Sequence, residues 1–292
     1  MKPGSIVASA VLIATLSVPL YAAPAKVAVV SILPQAYFVE RIAGDSFKPL
    51  VLVGAGQSPH AYEPSPRQMA DLSKATLWFT IGSEFENALK PRIAALYPSL
   101  PIVDTTLGIR YRSLEAHSHD EGPDGDDHGE SGLDPHVWLG RQASKSIAAN
   151  MLAALSNADP AGKTTFEARY ESLILDIDSV YDELSAELAP LKGKPVFVYH
   201  PAFGYLLDDL GIRQEAVETG GKEPTQKTIA ALIAEARADG AKVIFVQAQF
   251  PASAAKVVAD AIGGTVISID PLARDWLDNL RRIGSSLKRA SR

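Results

Sequence analysis

Two patterns of hydrophobic and polar residues alternate along the chain after about residue 25. Short runs of β-branched and apolar residues predict buried parallel strands at 26–33, 47–53, 77–81, 102–104, 195–200, 242–246 and 265–269. Apolar residues at helical spacing predict helices at 35–43, 85–97, 141–157, 202–210, 226–238, 252–262 and 276–291, and a capping box predicts one more that begins after Ser65. This alternation predicts an α/β fold with parallel sheets.

One predicted helix is much longer than the others and spans roughly 161–191. After Gly162 it has no glycine or proline before Pro190, and apolar residues recur along one face: Phe166, Tyr170, Leu173, Ile177, Val180, Tyr181, Leu184 and Leu188. At 1.5 Å per residue its length is on the order of 45 Å. We interpret it as a rigid connector between two lobes; the alternative is two shorter helices with a break near Asp176 and Asp178.

The two halves of the chain share an ordered series of short similarities. The turn 33–38 resembles 200–205, Glu63-Pro64-Ser65 resembles Glu223-Pro224-Thr225, and 103–104 resembles 269–270. Their common order predicts two lobes of one fold related by a pseudo-twofold axis. We expect an N-terminal lobe at 26–158 that includes a loop at 115–132, a connecting helix at 159–191 and a C-terminal lobe at 192–292.

The first 25 residues have the character of a cleaved secretory signal. Lys2 precedes an apolar segment, Ile6 to Leu20, that is too short to span a bilayer comfortably, and small residues follow it. The alternative is an uncleaved anchor. Since the chain contains no cysteine, acylation at the cleavage site is excluded. We therefore expect a periplasmic protein that is not a lipoprotein.

Charge and composition narrow the class of partner. The net charge is −6, and seven acids with no base lie between residues 115 and 130: Glu115, Asp120, Glu121, Asp124, Asp126, Asp127 and Glu130. Nucleic acids select basic surfaces, so this charge argues against them and favours a cation. Without cysteine, any zinc here must be held by histidine and carboxylate.

The six histidines divide into two groups. His117, His119 and His128 lie in the acidic segment, whereas His60, His136 and His200 each lie beside a proline. The second group follows predicted strand ends, as does Asp270, and open α/β sheets bind ligands at the carboxyl ends of their strands. We therefore expect one divalent metal to be held in the cleft by His60, His136, His200 and Asp270.

Imidazole-rich ligation suits zinc, and carboxylate-rich ligation suits manganese. Each imidazole is expected to donate its other ring N–H to an acceptor, and the candidate acceptors are Glu63, Asp134 and Gln247. Asp104, the repeat counterpart of Asp270, is expected to be structural. We expect the acidic segment to collect metal at low affinity, through His117, His119, His128, Asp120, Asp126 and Asp127.

The segments that contain these residues resemble the zinc/manganese group of metal-binding solute-binding proteins of bacterial ABC importers. The resemblance rests on residues 58–65, 134–139, 159–160, 199–203, 223–225, 244–250 and 270–272. It implies two Rossmann-like lobes on a rigid helix, a metal between them and delivery to a membrane permease. By residue match it places the ligands on His60, His136, His200 and Asp270. A histidine at position 200 resembles the zinc members, since manganese members commonly have glutamate at this ligand position. The sequence departs from the family at Gln247, where glutamate is expected.

Three alternatives remain from sequence. A zinc hydrolase would keep an open water position, which Asp270 as a fourth ligand disfavours, and the chain has no His-Glu-x-x-His helix. An adhesin or scaffold would keep a metal for structure alone. A manganese carrier of the same fold would differ only in its metal. We expect no enzyme activity, a monomer, an ABC permease as membrane partner and a periplasmic metallochaperone as a further candidate partner.

Overall fold

The computed structural model describes residues 24–114, 132–218, 225–250 and 252–290. Within them, two parallel sheets are each flanked by helices, which confirms the predicted two-lobe α/β class. The first lobe is built from β1 (Lys26–Ile32), α1 (Leu33–Ala43), β2 (Phe47–Val53), α2 (Pro66–Leu72), β3 (Leu77–Thr80), α3 (Glu84–Leu96), β4 (Ile102–Asp104) and α4 (Arg141–Ala158). Residues 1–23 of the predicted signal and the segment 115–131 lie outside the described residues.

The second half of the chain repeats this order after a long helix. Its elements are α5 (Lys163–Glu187), β5 (Pro195–Val198), α6 (Gly204–Asp209), β6 (Arg213–Ala216), α7 (Gln226–Ala238), β7 (Val243–Val246), α8 (Ala252–Ala261), β8 (Thr265–Ser268) and α9 (Trp276–Ala290). The sheet orders are β2-β1-β3-β4 and β6-β5-β7-β8. The same order in both sheets, with parallel pairing throughout, agrees with the predicted internal repeat.

Local sequence chemistry explains the element ends. Ser65 is the N-cap of α2: its hydroxyl accepts a hydrogen bond from the Gln68 backbone, and the Gln68 side chain accepts one from the Ser65 backbone. This confirms the predicted capping box. Helix α1 begins at Leu33, two residues earlier than predicted, because Pro34 fits the first turn, where its missing N–H costs no hydrogen bond.

The strand β6 is absent from the sequence-based prediction. Its residues Arg213, Gln214 and Glu215 are polar, so hydrophobicity does not reveal it, yet Gln214 and Glu215 are buried. The Gln214 side chain accepts a hydrogen bond from the Phe203 backbone, and Glu215 pairs with Arg213. Burial of these polar groups is tolerated because each has a partner.

Helix α5 joins the lobes and is shorter than predicted. Its α-helical part has 25 residues, about 38 Å long, and short 3₁₀ turns at Pro160–Gly162 and Ala189–Leu191 flank it. It is continuous through Asp176 and Asp178, where a break was the alternative. It packs against α1 and α4 of the first lobe and against α9, so both lobes are attached to one stiff element.

The last helix also packs on the first lobe. The ring of Trp276, at the start of α9, lies 5.1 Å from that of Phe38 on α1, and both side chains are fully buried. One hydrophobic core therefore continues from β1 through α5 to α9. Among the described residues, no helix combines the length and the apolar character needed to cross a membrane.

Candidate metal centre

Three histidines from distant parts of the chain converge between the two sheets. His60 lies in the 3₁₀ turn Pro59–Ala61 after β2, His136 directly precedes the turn Val137–Leu139, and His200 follows β5. The Nε2 atom of His200 lies 3.1 Å from Nε2 of His60 and 3.1 Å from Nε2 of His136. The structure thus brings together three of the four predicted metal ligands.

The two 3.1 Å separations are close to those expected around one tetrahedral ion, and the ligand atoms of all three histidines lie within 4.8 Å of one another. Zinc lies about 2.0–2.1 Å from imidazole nitrogen, so two nitrogens at a tetrahedral angle are about 3.3 Å apart. Neutral imidazoles have lone pairs that repel at such short range unless a proton or a cation lies between them. The three-histidine arrangement is therefore suited to a cation at its centre.

Two of the imidazoles are oriented by buried carboxylates. Nδ1 of His136 lies 2.7 Å from Oδ1 of Asp134, and Nδ1 of His200 lies 2.6 Å from Oε2 of Glu218. Asp134 and Glu218 are buried, and each accepts the Nδ1 proton of its histidine. This fixes the tautomer in which Nε2 has a free lone pair for a metal.

Burial and charge also favour neutral imidazoles. Burial, followed by the neighbouring His200, lowers the pKa of His60. Burial also lowers the pKa of His200, against the opposing effect of Glu218. Burial alone would raise the pKa of Asp134, but hydrogen bonds from His136 and Arg112 hold its pKa below the ordinary value. The Asp134 carboxylate is therefore ionised while the imidazoles of His60 and His200 are neutral, which is the state a divalent cation binds.

His60 is the most accessible of the three. Its side chain is 24% exposed, against 5% for each of the other two. Its Nδ1 lies 3.7 Å from a carboxylate oxygen of Glu84, which is itself 70% exposed. The ring of Phe250 stacks on His200, with centroids 4.7 Å apart and an angle of 27° between the ring planes. The site is therefore reached from the side of His60.

Asp270, the predicted fourth ligand, lies outside this three-histidine group in the structure. Its Oδ1 accepts hydrogen bonds from Nε2 of Gln249 (2.9 Å) and from the backbone of Leu272 (2.9 Å). Gln249 lines the pocket with the three histidines, whereas Asp270 lines a separate groove beside α9. The sequence placed Asp270 at the correct strand end, but two local donors orient its carboxylate.

The three residues predicted to accept hydrogen bonds from the imidazoles differ in what they contact. Asp134 contacts His136 as expected. Gln247 contacts His200 through the backbone: its side chain accepts from His200 N at 3.3 Å and donates to the His200 carbonyl. Glu63 is exposed, and Glu84 lies beside His60 instead. The acidic-segment residues His117, His119, His128, Asp120, Asp126 and Asp127 lie outside the described residues.

Glu218 is the residue in contact with the three-histidine group that sequence reasoning missed. It lies two residues after β6, and its backbone N–H donates to the Tyr199 carbonyl, next to His200. A signal existed, since a strand that ended at Ala216 would place Glu218 at the same sheet edge as His200. That strand was not recognised because its residues are polar.

Comparison with known proteins identifies the family. The family model of ZnuA, described as zinc-uptake complex component A, periplasmic, matches residues 28–290. The chain belongs to this family. The ZnuA family consists of solute-binding proteins of ABC importers, which are not enzymes. The match confirms the family that the sequence resembles.

Individual relatives agree with this assignment. The chain is 29% identical over 202 residues to the zinc-binding lipoprotein AdcA of Streptococcus pneumoniae, with 68% of this chain and 39% of AdcA covered. It therefore spans well under half the length of that relative. It is 25% identical over 304 residues to the high-affinity zinc uptake system protein ZnuA of Brucella abortus, with 89% of this chain and 90% of that protein covered. A solved ZnuA deletion mutant with zinc bound matches at TM-score 0.82 and 30% identity, over 91% of this chain and 98% of that one.

Proposed function

We propose that this protein captures zinc in the cleft between its lobes and delivers it to an ABC permease for import. The observation that carries the proposal is the convergence of His60, His136 and His200, with Nε2 of His200 lying 3.1 Å from Nε2 of each of the other two. Membership of the ZnuA family supports zinc as the cargo. Imidazole donors favour zinc over manganese, which prefers carboxylates.

The three histidines are the proposed ligands, and Asp270 stays a proposed fourth ligand. For Asp270 to bind the ion, its carboxylate must turn from Gln249 and Leu272 toward the histidines. Until then the fourth position is open to water or to an anion from solvent.

The cellular setting follows from the same proposal. A periplasmic location agrees with the family description, and a membrane permease is the expected partner. Secretion by a cleaved signal without lipidation, a monomeric state and loading by a periplasmic metallochaperone are further parts of the proposal. Size-exclusion chromatography with light scattering of the purified mature protein tests the monomer directly.

The decisive test is a competition titration of the mature protein without a purification tag that contains histidine. Zinc is titrated against a chelator of known affinity, for wild type and His200→Ala, and the experiment is repeated with manganese. We expect one tight zinc site per chain, manganese unable to displace it, and a loss of at least about 100-fold in His200→Ala. Equal affinity in the variant would reject the cleft as the zinc site.

The acidic segment has a separate role in the proposal. We infer that residues 115–130 collect zinc at low affinity and pass it to the cleft, since they combine three histidines with seven acids. Deletion of 115–130 is expected to leave one tight site intact and to slow zinc capture at limiting metal. Unchanged capture kinetics would remove this role while leaving the cleft site in place.

A further inference from the structure

Arg112 lies where the two ends of the acidic segment leave the first lobe. The next residue, Ser113, forms an isolated antiparallel bridge with Leu133. The backbone carbonyl of Arg112 accepts a hydrogen bond from the backbone N–H of Asp134 at 2.9 Å. Arg112 and Asp134 are therefore neighbours on paired segments, and Asp134 is the residue that orients His136.

The guanidinium of Arg112 connects a buried carboxylate with a surface carboxylate. Its Nη1 lies 3.0 Å from Oδ2 of Asp134, which is fully buried, and its Nε lies 2.8 Å from Oδ2 of Asp208 on α6, which is 53% exposed. Only 12% of the Arg112 side chain is exposed. Such a planar, multi-donor contact fixes both partners more firmly than a single ammonium would.

Tyr205 and Gly204 of the second lobe enclose the same contact. The Tyr205 hydroxyl accepts from the Arg112 backbone (3.0 Å) and donates to the Asp134 carbonyl (2.9 Å). A Cβ atom at Gly204 would lie 2.0 Å from Nη1 of Arg112 and 2.9 Å from Oδ2 of Asp134. The guanidinium therefore occupies the space that a side chain at residue 204 would need.

The two oxygens of Asp134 have separate tasks. Oδ1 accepts from both the backbone N–H and the Nδ1 of His136, at 2.9 and 2.7 Å, and Oδ2 accepts from Arg112. If Arg112 were absent, Oδ2 would be a buried charged oxygen without this donor, which is costly, and the carboxylate would no longer be held in this one orientation. Arg112 therefore decides which way the Asp134 carboxylate faces.

We propose that Arg112 is a positioning residue for zinc: it holds Asp134 so that His136 presents an unprotonated Nε2 to the cleft, and it ties His136 to the second lobe through Asp208. The tie matters because α6 begins four residues after His200. His136 and His200 belong to different lobes, and their 3.1 Å separation depends on the alignment of those lobes. This inference rests on the proposed three-histidine zinc site.

The test compares Arg112→Gln and Arg112→Lys with wild type and with Arg41→Gln as a matched control. Arg41 forms an ion pair with Asp176 between α1 and α5 and has no contact with Asp134. Long-range ¹⁵N–¹H spectra of the zinc-free protein report which nitrogen of His136 carries the proton, and chelator competition gives the zinc Kd. Denaturant unfolding separately measures stability.

We expect wild type and Arg41→Gln to show His136 protonated at Nδ1 only. Arg112→Gln should show a mixture of tautomers and a zinc Kd raised about 10–100-fold, the range for lost supporting contacts, with Arg112→Lys between the two. A purely structural role would lower stability and leave the tautomer unchanged. A single Nδ1 tautomer with a Kd within about twofold of wild type in Arg112→Gln would overturn the inference.

Gly204→Ala keeps every charge and tests the same contact if Arg112→Gln does not fold. The added methyl group should displace the guanidinium and give the same mixed tautomer; an unchanged tautomer and Kd would overturn the inference. Failure of the proposed three-histidine zinc site can be distinguished from failure of the inference about Arg112. If His200→Ala bound zinc as tightly as wild type, the proposed site would fail, while the His136 tautomer would still report on Arg112.

Discussion

The indole of Trp276 donates a hydrogen bond from Nε1 to the backbone oxygen of Trp138 at 2.9 Å. Trp138 in turn donates from its own Nε1 to the backbone oxygen of Pro271 at 2.8 Å. Trp138 lies two residues after His136, and Pro271 follows Asp270. The two tryptophans therefore join the His136 segment of the first lobe to the segment between β8 and α9.

Trp276→Phe should destabilise the protein and weaken zinc binding together. The change removes a buried donor and leaves the Trp138 carbonyl without it, a cost of about 1–3 kcal/mol. Denaturant unfolding measures the stability, and chelator competition measures the affinity. The matched control is Trp78→Phe, which removes a buried indole donor to Ser31 within the first lobe. We expect the control to lose stability alone; an equal loss of affinity in both would contradict the inter-lobe role of Trp276.

Zinc affinity should stay nearly constant from pH 8 to pH 6.5 and fall below that. Zinc binds neutral imidazole, and burial lowers the pKa of both His60 and His200 from the ordinary value of 6.5. The shift is downward, so the neutral form persists to lower pH than it does in free histidine. Competition titrations at half-unit pH steps measure this. Weakening that begins well above pH 7 would show that these imidazoles are not protected from protons.

Glu218→Gln should raise the zinc Kd about 10–100-fold, the usual range for loss of a carboxylate behind a histidine ligand. The amide can still accept from Nδ1 of His200, but it lacks the charge and can present its NH₂ group instead. Glu63→Gln is the matched control, because Glu63 is exposed and lies close to His60 in sequence. Competition titration of zinc against a chelator compares the Kd of the two variants. Equal effects would mean that the contact of Glu218 with His200 contributes nothing specific.

Removal of zinc should leave the protein folded. Its core continues through both lobes and includes fully buried Phe38, Phe166 and Trp276, so no metal is needed to hold the lobes together. Circular dichroism of the chelator-treated protein should match the zinc-bound form. Zinc at 1,000 times its Kd should add only about 4 kcal/mol of stability, seen as a higher melting temperature. Unfolding by the chelator would favour a structural metal over a transported one.

The sequence predicted most of the fold because its strands are apolar and its turns contain glycine and proline. Helix α7 and strand β4 match their predicted bounds at both ends. The exception, β6, is built from polar residues whose burial depends on partners such as Phe203 and Arg213. Tertiary hydrogen bonds of this kind leave no hydrophobic pattern to detect.

Most of the candidate site could also be predicted from the sequence. His60, His136 and His200 were found because each lies in a proline-flanked turn after a strand. Glu218 was missed together with β6, and the orientation of Asp270 depends on a hydrogen bond from Gln249 that spacing in the sequence does not reveal. Sequence patterns place a residue at the correct sheet edge, whereas side-chain partners decide where its charge points.

Crystals of the mature protein with one equivalent of zinc offer the most direct test of the central claim. Anomalous diffraction on both sides of the zinc absorption edge locates the ion without reference to the protein atoms. We predict one strong peak within about 2.0–2.1 Å of Nε2 of His60, His136 and His200. A peak bound to other residues, with the three imidazoles unoccupied, would contradict the proposed function at its site.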